Sequence, residues 1–431
     1  MKRILIISLL TLVIIAPLAG QNRVTLRQCY DSVAVNAPQV SERALLSNIS
    51  NLKQKNTGVN YLPSIDLGAS YLYNSDVVDL SKVLGALSAI NPNIVVPAIP
   101  HDQYRATIDV NQLIWDGGVT RSAREVEQTT LDLNLSQNDA DIYKLREQVN
   151  NYYFSILLTD KQSDLTKVLL SEIESRIKVA SSAVNNGVML RTNLDVLEAE
   201  KIKTEQSLAD LKMQRDALLS VLASLTGNGD IVNDSLILPS PVVSFDAGLN
   251  NPDMKMFDVM KNQVEAGKSL LKAQRMPKVF STASVGYGRP QGSNFFSTDP
   301  GSYYSFGFGL KWNIFDWHKS SNERSSLTIQ QQLIDTRRRE AEDALNRVLQ
   351  LKRAEIESLA SKDETDRRLI DIRTSVSAAA ASQFGNGTIT ATEYLTELNA
   401  EKQARLNAEI HRISLVRAEI DYMIITGQEI E

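Results

Sequence analysis

Four landmarks occur twice in this chain, in the same order and about 200 residues apart. "LIWDGG" at Leu113 to Gly118 returns as "NIFDWH" at Asn313 to His318. "NNGVMLRTNLDVLEAE" from Asn185 returns as "GNGTITATEYLTELNAE" from Gly385. "LTG" at Leu225 to Gly227 returns as "ITG" at Ile425 to Gly427, and "YLPSIDLGASY" from Tyr61 has its counterpart in "RMPKVFSTASVGY" from Arg275. A repeat of this length outranks local propensity, because whatever one copy folds into the other must fold into as well. The repeats are expected over 21–226 and 251–431, with a linker at 227–250.

Each copy reads as short helix, strand, loop, strand, long helix, long helix. The short helices end before Pro63 and Pro277. Strands are expected near 63–74, 103–115, 278–289 and 302–315, because apolar and polar residues alternate there at the strand period of two. The fourth is the clearest. Tyr304, Phe306, Phe308, Leu310, Trp312 and Ile314 fall on one side, and Tyr303, Ser305, Gly307, Gly309, Lys311 and Asn313 on the other. The polar faces are built of small residues, among them Gly68, Ser70, Ser284, Gly286, Ser305 and Gly307.

Long helices are expected over 118–185, 190–226, 318–384 and 390–426. From Val119 to Val184 there is neither proline nor glycine, which at about 1.5 Å per residue is a rod of roughly 100 Å. Ile142, Leu145, Val149, Tyr152 and Ile156 step by three and four, and Leu208, Leu211, Leu218, Leu222 and Leu225 keep the register on the returning helix. That spacing predicts an antiparallel coiled-coil pair in each repeat. Asn186–Gly187 and Asn386–Gly387 stand at the turns, where glycine supplies the positive φ that ends a helix.

Amphipathic strands ordinarily bury one face against a core. Here the helices are matched to one another, and little is left to cover the strands. The alternative is a bilayer, where every backbone group must be paired and strands cross only as a closed barrel. Barrels begin at about eight strands, so four strands close only with those of further copies. Phe306, Phe308, Leu310 and Trp312 are then expected to face lipid, with the small polar residues lining a lumen. The N-terminus fits export. Lys2 and Arg3 precede the apolar run Ile4 to Ile15, and Ala19 and Gly20 follow, as in a secretory signal peptide covering 1–20. Gln21 stands where a lipidated cysteine would be needed, and the one cysteine, Cys29, excludes an internal disulfide.

On these residues the chain resembles the TolC family of outer-membrane efflux proteins. The resemblance covers the mature chain and rests on the duplicated plan, the "LP" and "MP" before the strands, "LIWDGG" with "IFDW", and the paired "NG" turns. It implies a mostly α fold with a small transmembrane β portion. Three chains of four strands would make a 12-stranded barrel in the outer membrane of a Gram-negative bacterium, continued by a periplasmic tube of helices. It implies no cofactor and no enzymatic step. The implied partners are two further copies, outer-membrane lipid, a periplasmic membrane-fusion adaptor and, through it, an inner-membrane pump. The two helical tips are the adaptor-docking sites of the family, which points to Gly187, Val188, Met189 and Leu190 and to Gly387, Thr388, Ile389 and Thr390. Relatives narrow the entrance with two acids after the second tip. Here the first falls on Glu393, the second falls on Thr396, and Glu397 is the neighbouring acid. Glu393 also reads as a first-turn carboxylate of its helix.

The implied function is a passive conduit for small toxic compounds or metal ions. A protein- or peptide-secretion channel shares the architecture, and a structural envelope coiled coil without a pore is the reading from another class. Catalysis and nucleic-acid binding find no footing. His101, His318 and His411 are scattered, no phosphate loop or nucleophile elbow is present, and no basic patch interleaved with aromatics occurs in a chain of net charge −5. Asp116 and Asp316, where strand gives way to helix, read as helix caps.

Overall fold

The computed structural model describes residues 23–79, 85, 90–91, 99–229, 231, 235–294 and 298–430. The expected signal peptide lies outside them, as do most of residues 76–102, between the first two expected strands, and residues 295–297, between the last two. Two compact units are present, and they cut across the repeats. One comprises the chain up to Val40 with Ala140–Asn251 and Asp343–Glu431, and the other comprises Ser41–Asp139 and Pro252–Glu342.

The second unit holds the sheet. Strands β2 (Ser64–Tyr73), β3 (Asp102–Trp115), β5 (Lys278–Arg289) and β6 (Gly301–Lys311) pair antiparallel in that order. Helix α2 (Pro38–Gly58) leads through a short 3₁₀ turn into β2, and α5 (Pro252–Gln274) leads into β5. The two longest helices, α3 (Val119–Asn185) and α6 (Lys319–Gly385), leave β3 and β6, and each is 67 residues long.

The fourth strand stops at Lys311, four residues short of the expected end. Its partner β5 begins at Lys278, paired with Lys311, and the residue before it is Pro277, which has no N–H to extend the ladder. Trp312 therefore lies just past the strand, with its indole N–H donating to the Arg275 carbonyl at 3.1 Å. β3 does reach Trp115, by a bulge between Leu113 and Trp115.

Strand gives way to helix at Asp116 and Asp316, and both are caps. Asp116 is buried and accepts from Tyr61 Oη at 2.7 Å, Gly118 N at 2.9 Å and Thr120 N at 2.6 Å. Burial pushes its carboxyl up, but the hydrogen bonds from Thr120, Tyr61 and the backbone prevail and hold it at about 2. Asp316 is more open and is bonded by the Ser320 N–H at 3.0 Å and the Ser320 hydroxyl. Asp116→Ala is expected to destabilise the folded chain by about 3 kcal/mol at neutral pH, because buried donors to a charged acceptor lose their partner. Asp316→Ala is expected to have a smaller effect. The folded pKa of Asp116 lies below its ordinary 3.8, so its contribution is complete above that value and fades as pH falls toward 2. Denaturant melts of both variants at pH 7 and pH 3 check the difference and its narrowing in acid.

The first unit is helical. α4 (Arg191–Thr226) returns along α3 and α7 (Ala391–Thr426) along α6, each 36 residues long. Near its middle, Val149, Tyr153, Phe154, Ile156, Leu219, Leu222 and Ile420 form a core with α1 (Leu26–Asn36). α1 starts on a capping box in which Thr25 and Gln28 bond each other's backbone. The inter-repeat segment joins this core. Its two-residue strand β4 (Ser235–Leu236) pairs parallel with β1 (Arg23–Val24), and Tyr153 Oη donates to Val24 O at 2.9 Å and accepts from Ile237 N at 3.1 Å. The fold is thus mostly α with a small β portion.

Candidate functional site

The sheet is one candidate site, and its register shows why. Directly opposed residues of an antiparallel sheet share a face. Leu67 opposes Ile108, Ile108 opposes Val285, and Val285 opposes Tyr304. One row nearer the helices, Ile65, Val110, Ala283 and Phe306 are opposed in turn. The apolar sets of all four strands thus form one face, and it is uncovered: Leu67 is 82% exposed and Phe306 66%. Phe308 and Leu310 continue this face on β6, whereas Trp312 lies beyond the strand's end.

The other face carries Asp66, Asp109, Ser284 and Ser305 in one row and Gly68, Thr107, Gly286 and Tyr303 in the next. Two glycines on it lie directly under aromatic rings. A Cβ on Gly309 would lie 2.3 Å from the Phe280 ring directly opposite, and one on Gly286 would lie 2.7 Å from Tyr303. Among the described residues nothing pairs with the outer edge of β2 or of β6. No described helix is long and apolar enough to cross a membrane, and the sheet is the element with an apolar surface to offer one.

The tips are the other candidate. Gly187 (φ 73) and Gly387 (φ 74) end α3 and α6 in matching ways. Val188 N donates to Ala183 O and Gly187 N to Val184 O, and Thr388 N and Gly387 N do the same with Gln383 O and Phe384 O. This pattern satisfies the last carbonyls of each helix. Beneath the turns, Phe384 stacks on Tyr394 at 5.4 Å, within a core that includes Leu169, Ile173, Leu194 and Leu197. Tyr394 Oη donates to Glu172 at 3.2 Å, and burial pushes this phenol up to about 12.

The expected docking residues divide. Val188 (77% exposed) and Leu190 (73%) stand out from the first tip, while Met189 and Ile389 turn inward onto the core. Gly187, Gly387, Thr388 and Thr390 are exposed. Leu190 caps α4 with no side-chain bond. Thr390 caps α7 with a complete box, in which the Glu393 carboxylate accepts from Thr390 N at 2.8 Å and from its hydroxyl at 3.0 Å. These bonds hold the Glu393 carboxyl below its ordinary range. Glu397 pairs with Arg373 at 3.2 Å. Both acids are therefore engaged within their own hairpin. The sequence held the signal for the box in "TATE" of Thr390 to Glu393. The link from Asn193 Oδ1 to the Ala391 N–H (3.0 Å), which ties the two tips, had no such signal.

A cleft of about 480 Å³ between α3, α6 and α7 is lined in part by Glu172, Arg176, Glu401 and Arg405. Its acids are bonded to its bases, Arg176 to Glu172 and Arg405 to Glu401. Among the described residues no cluster of three or more metal-ligating side chains occurs.

A family model described as outer membrane efflux protein matches residues 29–228 and 244–428. No curated protein sequence matches the chain. The fold is similar to the crystal structure of the outer membrane protein VceC from Vibrio cholerae, with a TM-score of 0.66 at 13% identity, covering 94% of this chain and 97% of that one. It is similar to the Campylobacter jejuni CmeC outer membrane channel, at 0.64 and 12% over 94% and 86%. The open-state Neisseria gonorrhoeae MtrE outer membrane channel is similar at 0.61 and 16% over 94% and 89%.

Proposed function

The chain belongs to the outer membrane efflux protein family, and we propose that it is the outer-membrane conduit of a three-part export system. It resides in the outer membrane with a large periplasmic helical part, and its family is one of channels. One observation carries the proposal: a four-stranded antiparallel sheet with a continuous uncovered apolar face, a small-residue polar face and two unpaired edges. Unpaired edges in lipid cost several kcal/mol for each backbone group, so β2 of one copy pairs with β6 of another until the sheet closes. Two copies would reach eight strands, a barrel whose interior is filled by its own side chains. Three reach twelve, which leaves a lumen, and glycine and serine on the inner face keep it open. The cargo is small compounds or metal ions chosen by the pump. Purified protein in planar bilayers is expected to give long-lived conductance steps and to run as a heat-sensitive trimer. A folded trimer without conductance would oppose the conduit.

The tips dock a periplasmic adaptor, which connects the channel to an inner-membrane pump. Val188 and Leu190 support the first tip as the stronger contact, since exposed apolar side chains at a turn gain most from being covered. Burying a leucine contributes about 1.5–3 kcal/mol, or roughly one to two decades in affinity. Leu190→Asp is therefore expected to reduce photo-cross-linking of the adaptor from a probe at Val188 by at least tenfold. Thr388→Ala is expected to change it little. Equal loss from the two variants would remove the distinction.

A further inference from the structure

The cleft between α3, α6 and α7 lies wholly within the helical unit, and its charges do not balance. Its lining sets Arg176, Lys402 and Arg405 against Glu172 and Glu401. Both arginines are engaged by those acids. Arg176 bonds Glu172 at 2.8 Å and lies over the Tyr394 ring. Arg405 bonds Glu401 at 2.7 Å and the Thr374 hydroxyl at 2.8 Å. Lys402 is left over. It is half-buried and makes neither an ion pair nor a hydrogen bond among the described residues. Glu200 attracts it from α4, but that carboxylate already holds Lys203 at 3.5 Å and the Asn399 amide at 3.4 Å. Burial lowers the Lys402 pKa in spite of Glu200, as it does for an ammonium short of counter-charge.

Much of the remaining lining is apolar. Leu398 stands between Tyr394 and Glu401 on one face of α7, and Leu165, Val168 and Leu169 of α3 and Ala381 of α6 join it. Leu169 and Leu398 are buried, whereas Val168 is 68% exposed, so part of the apolar wall is uncovered. The two ion-pair clusters hold Tyr394 and Glu401, seven residues apart on α7, which is about 10 Å. Between them is room for a hydrocarbon group. The volume of about 480 Å³ falls in the range of small-molecule sites, roughly 300–1,000 Å³.

We propose that this cleft binds an amphipathic monoanion such as a medium-chain carboxylate, its head group on Lys402 and its chain against Leu165, Val168 and Leu398. One unpaired cation in a lining whose other charges cancel selects a single negative charge. A carboxylate there makes a charge-assisted hydrogen bond, stronger than a neutral one, while its chain covers apolar surface. A neutral amphiphile of the same length would leave Lys402 unpaired, and a cationic one would meet its charge. The ligand touches α3, α6 and α7 of one chain, so the site is complete without a second copy and does not rest on how the sheet closes.

The test is photolabelling of the full-length protein in outer-membrane vesicles with a decanoate that carries a diazirine on its chain, the adducts being located by peptide mass spectrometry. Adducts are expected in segments 165–176 of α3 and 394–405 of α7. Unlabelled decanoate should displace them, and decanol or decyltrimethylammonium should do so at least tenfold less well. Lys402→Met should cut labelling of these segments at least tenfold and Lys402→Arg should largely keep it. Lys178→Met, which removes an exposed charge of α3 outside the lining, should leave it unchanged. Labelling of the sheet's apolar face reports how much probe enters the membrane and should be the same in all variants. Cleft segments that stay unlabelled, that decanol clears as well as decanoate does, or that label equally in Lys402→Met overturn the site. The competition series uses the native chain, so it decides the matter without the variants, and none of these outcomes touches the conduit.

Discussion

Phe306→Arg is expected to remove the folded protein from the outer membrane, whereas Ser305→Arg, its neighbour on the other face, is expected to be tolerated. Phe306 sits on the apolar face, in the row of Ile65, Val110 and Ala283 near the middle of the strands, and Ser305 shares a row with Asp66, Asp109 and Ser284. An arginine facing lipid near the bilayer midplane costs about 2–4 kcal/mol, and the closed barrel would carry three, roughly 6–12 kcal/mol in all. That is comparable to the whole stability of an ordinary domain. An arginine facing a water-filled lumen keeps its hydration and adds only side-chain bulk. The comparison also separates the readings, because on the surface of a pore-free coiled-coil protein the already exposed Phe306 would accept arginine as readily as Ser305 does. Heat-modifiable trimer in membrane fractions, with denaturant unfolding in lipid vesicles, measures the difference.

The second large effect is expected at Gly427. It ends α7 in the left-handed region (φ 78), and a Cβ there would lie 2.6 Å from the backbone carbon of Asn250. The left-handed backbone alone costs a β-substituted residue about 1–2 kcal/mol. The contact adds overpacking of about 1–3 kcal/mol, because Asn250 is itself held by its N–H donating to Thr426 O at 2.9 Å. Gly427→Val is therefore expected to cost about 2–5 kcal/mol. Gly387 has nearly the same φ, 74, but nothing within 4 Å of the Cβ it lacks, so Gly387→Ala should lose only the backbone part. Denaturant midpoints for the two variants give the test, and equal losses would mean that the Asn250 contact carries no weight.

The contrast shows what the sequence made legible. "ITG" marks a helix stop at Gly427 as clearly as "GNG" marks one at Gly387, because glycine is free to take the positive φ that ends a helix. Nothing local said that the first glycine is pressed against another segment. The two-faced strands were readable because a period of two is stated residue by residue, and the heptads likewise. The end of the fourth strand was not. Alternation runs on to Ile314, but pairing stops where Pro277 ends the partner, and that is a fact about two distant segments. The pairing of β3 with β5, which joins the repeats in one sheet, is of the same kind.

The junctions after the strands make the point again. Gly117 and Gly118 in the first copy become Trp317 and His318 in the second, and all four have positive φ, at 72°, 92°, 54° and 64°. The shared Asp fixes the cap and the chain follows it, so the backbone keeps a conformation that the second pair of residues does not announce. At the tips, the paired turns were legible. The division of labour between an apolar first tip and a self-capped second one depends on where Glu393, Met189 and Ile389 turn.

A pore requires β6 to have one face in lipid and one in water, and thiol accessibility in intact outer membranes measures the two directly. Single cysteines at Ser305, Phe306, Gly307 and Phe308 are introduced in turn, against a background in which the native Cys29 is buried. A charged, water-soluble thiol reagent is expected to label 305 and 307 and to spare 306 and 308, which a lipid-soluble reagent should reach instead. Equal labelling of all four by the charged reagent would place both faces in water and contradict the pore.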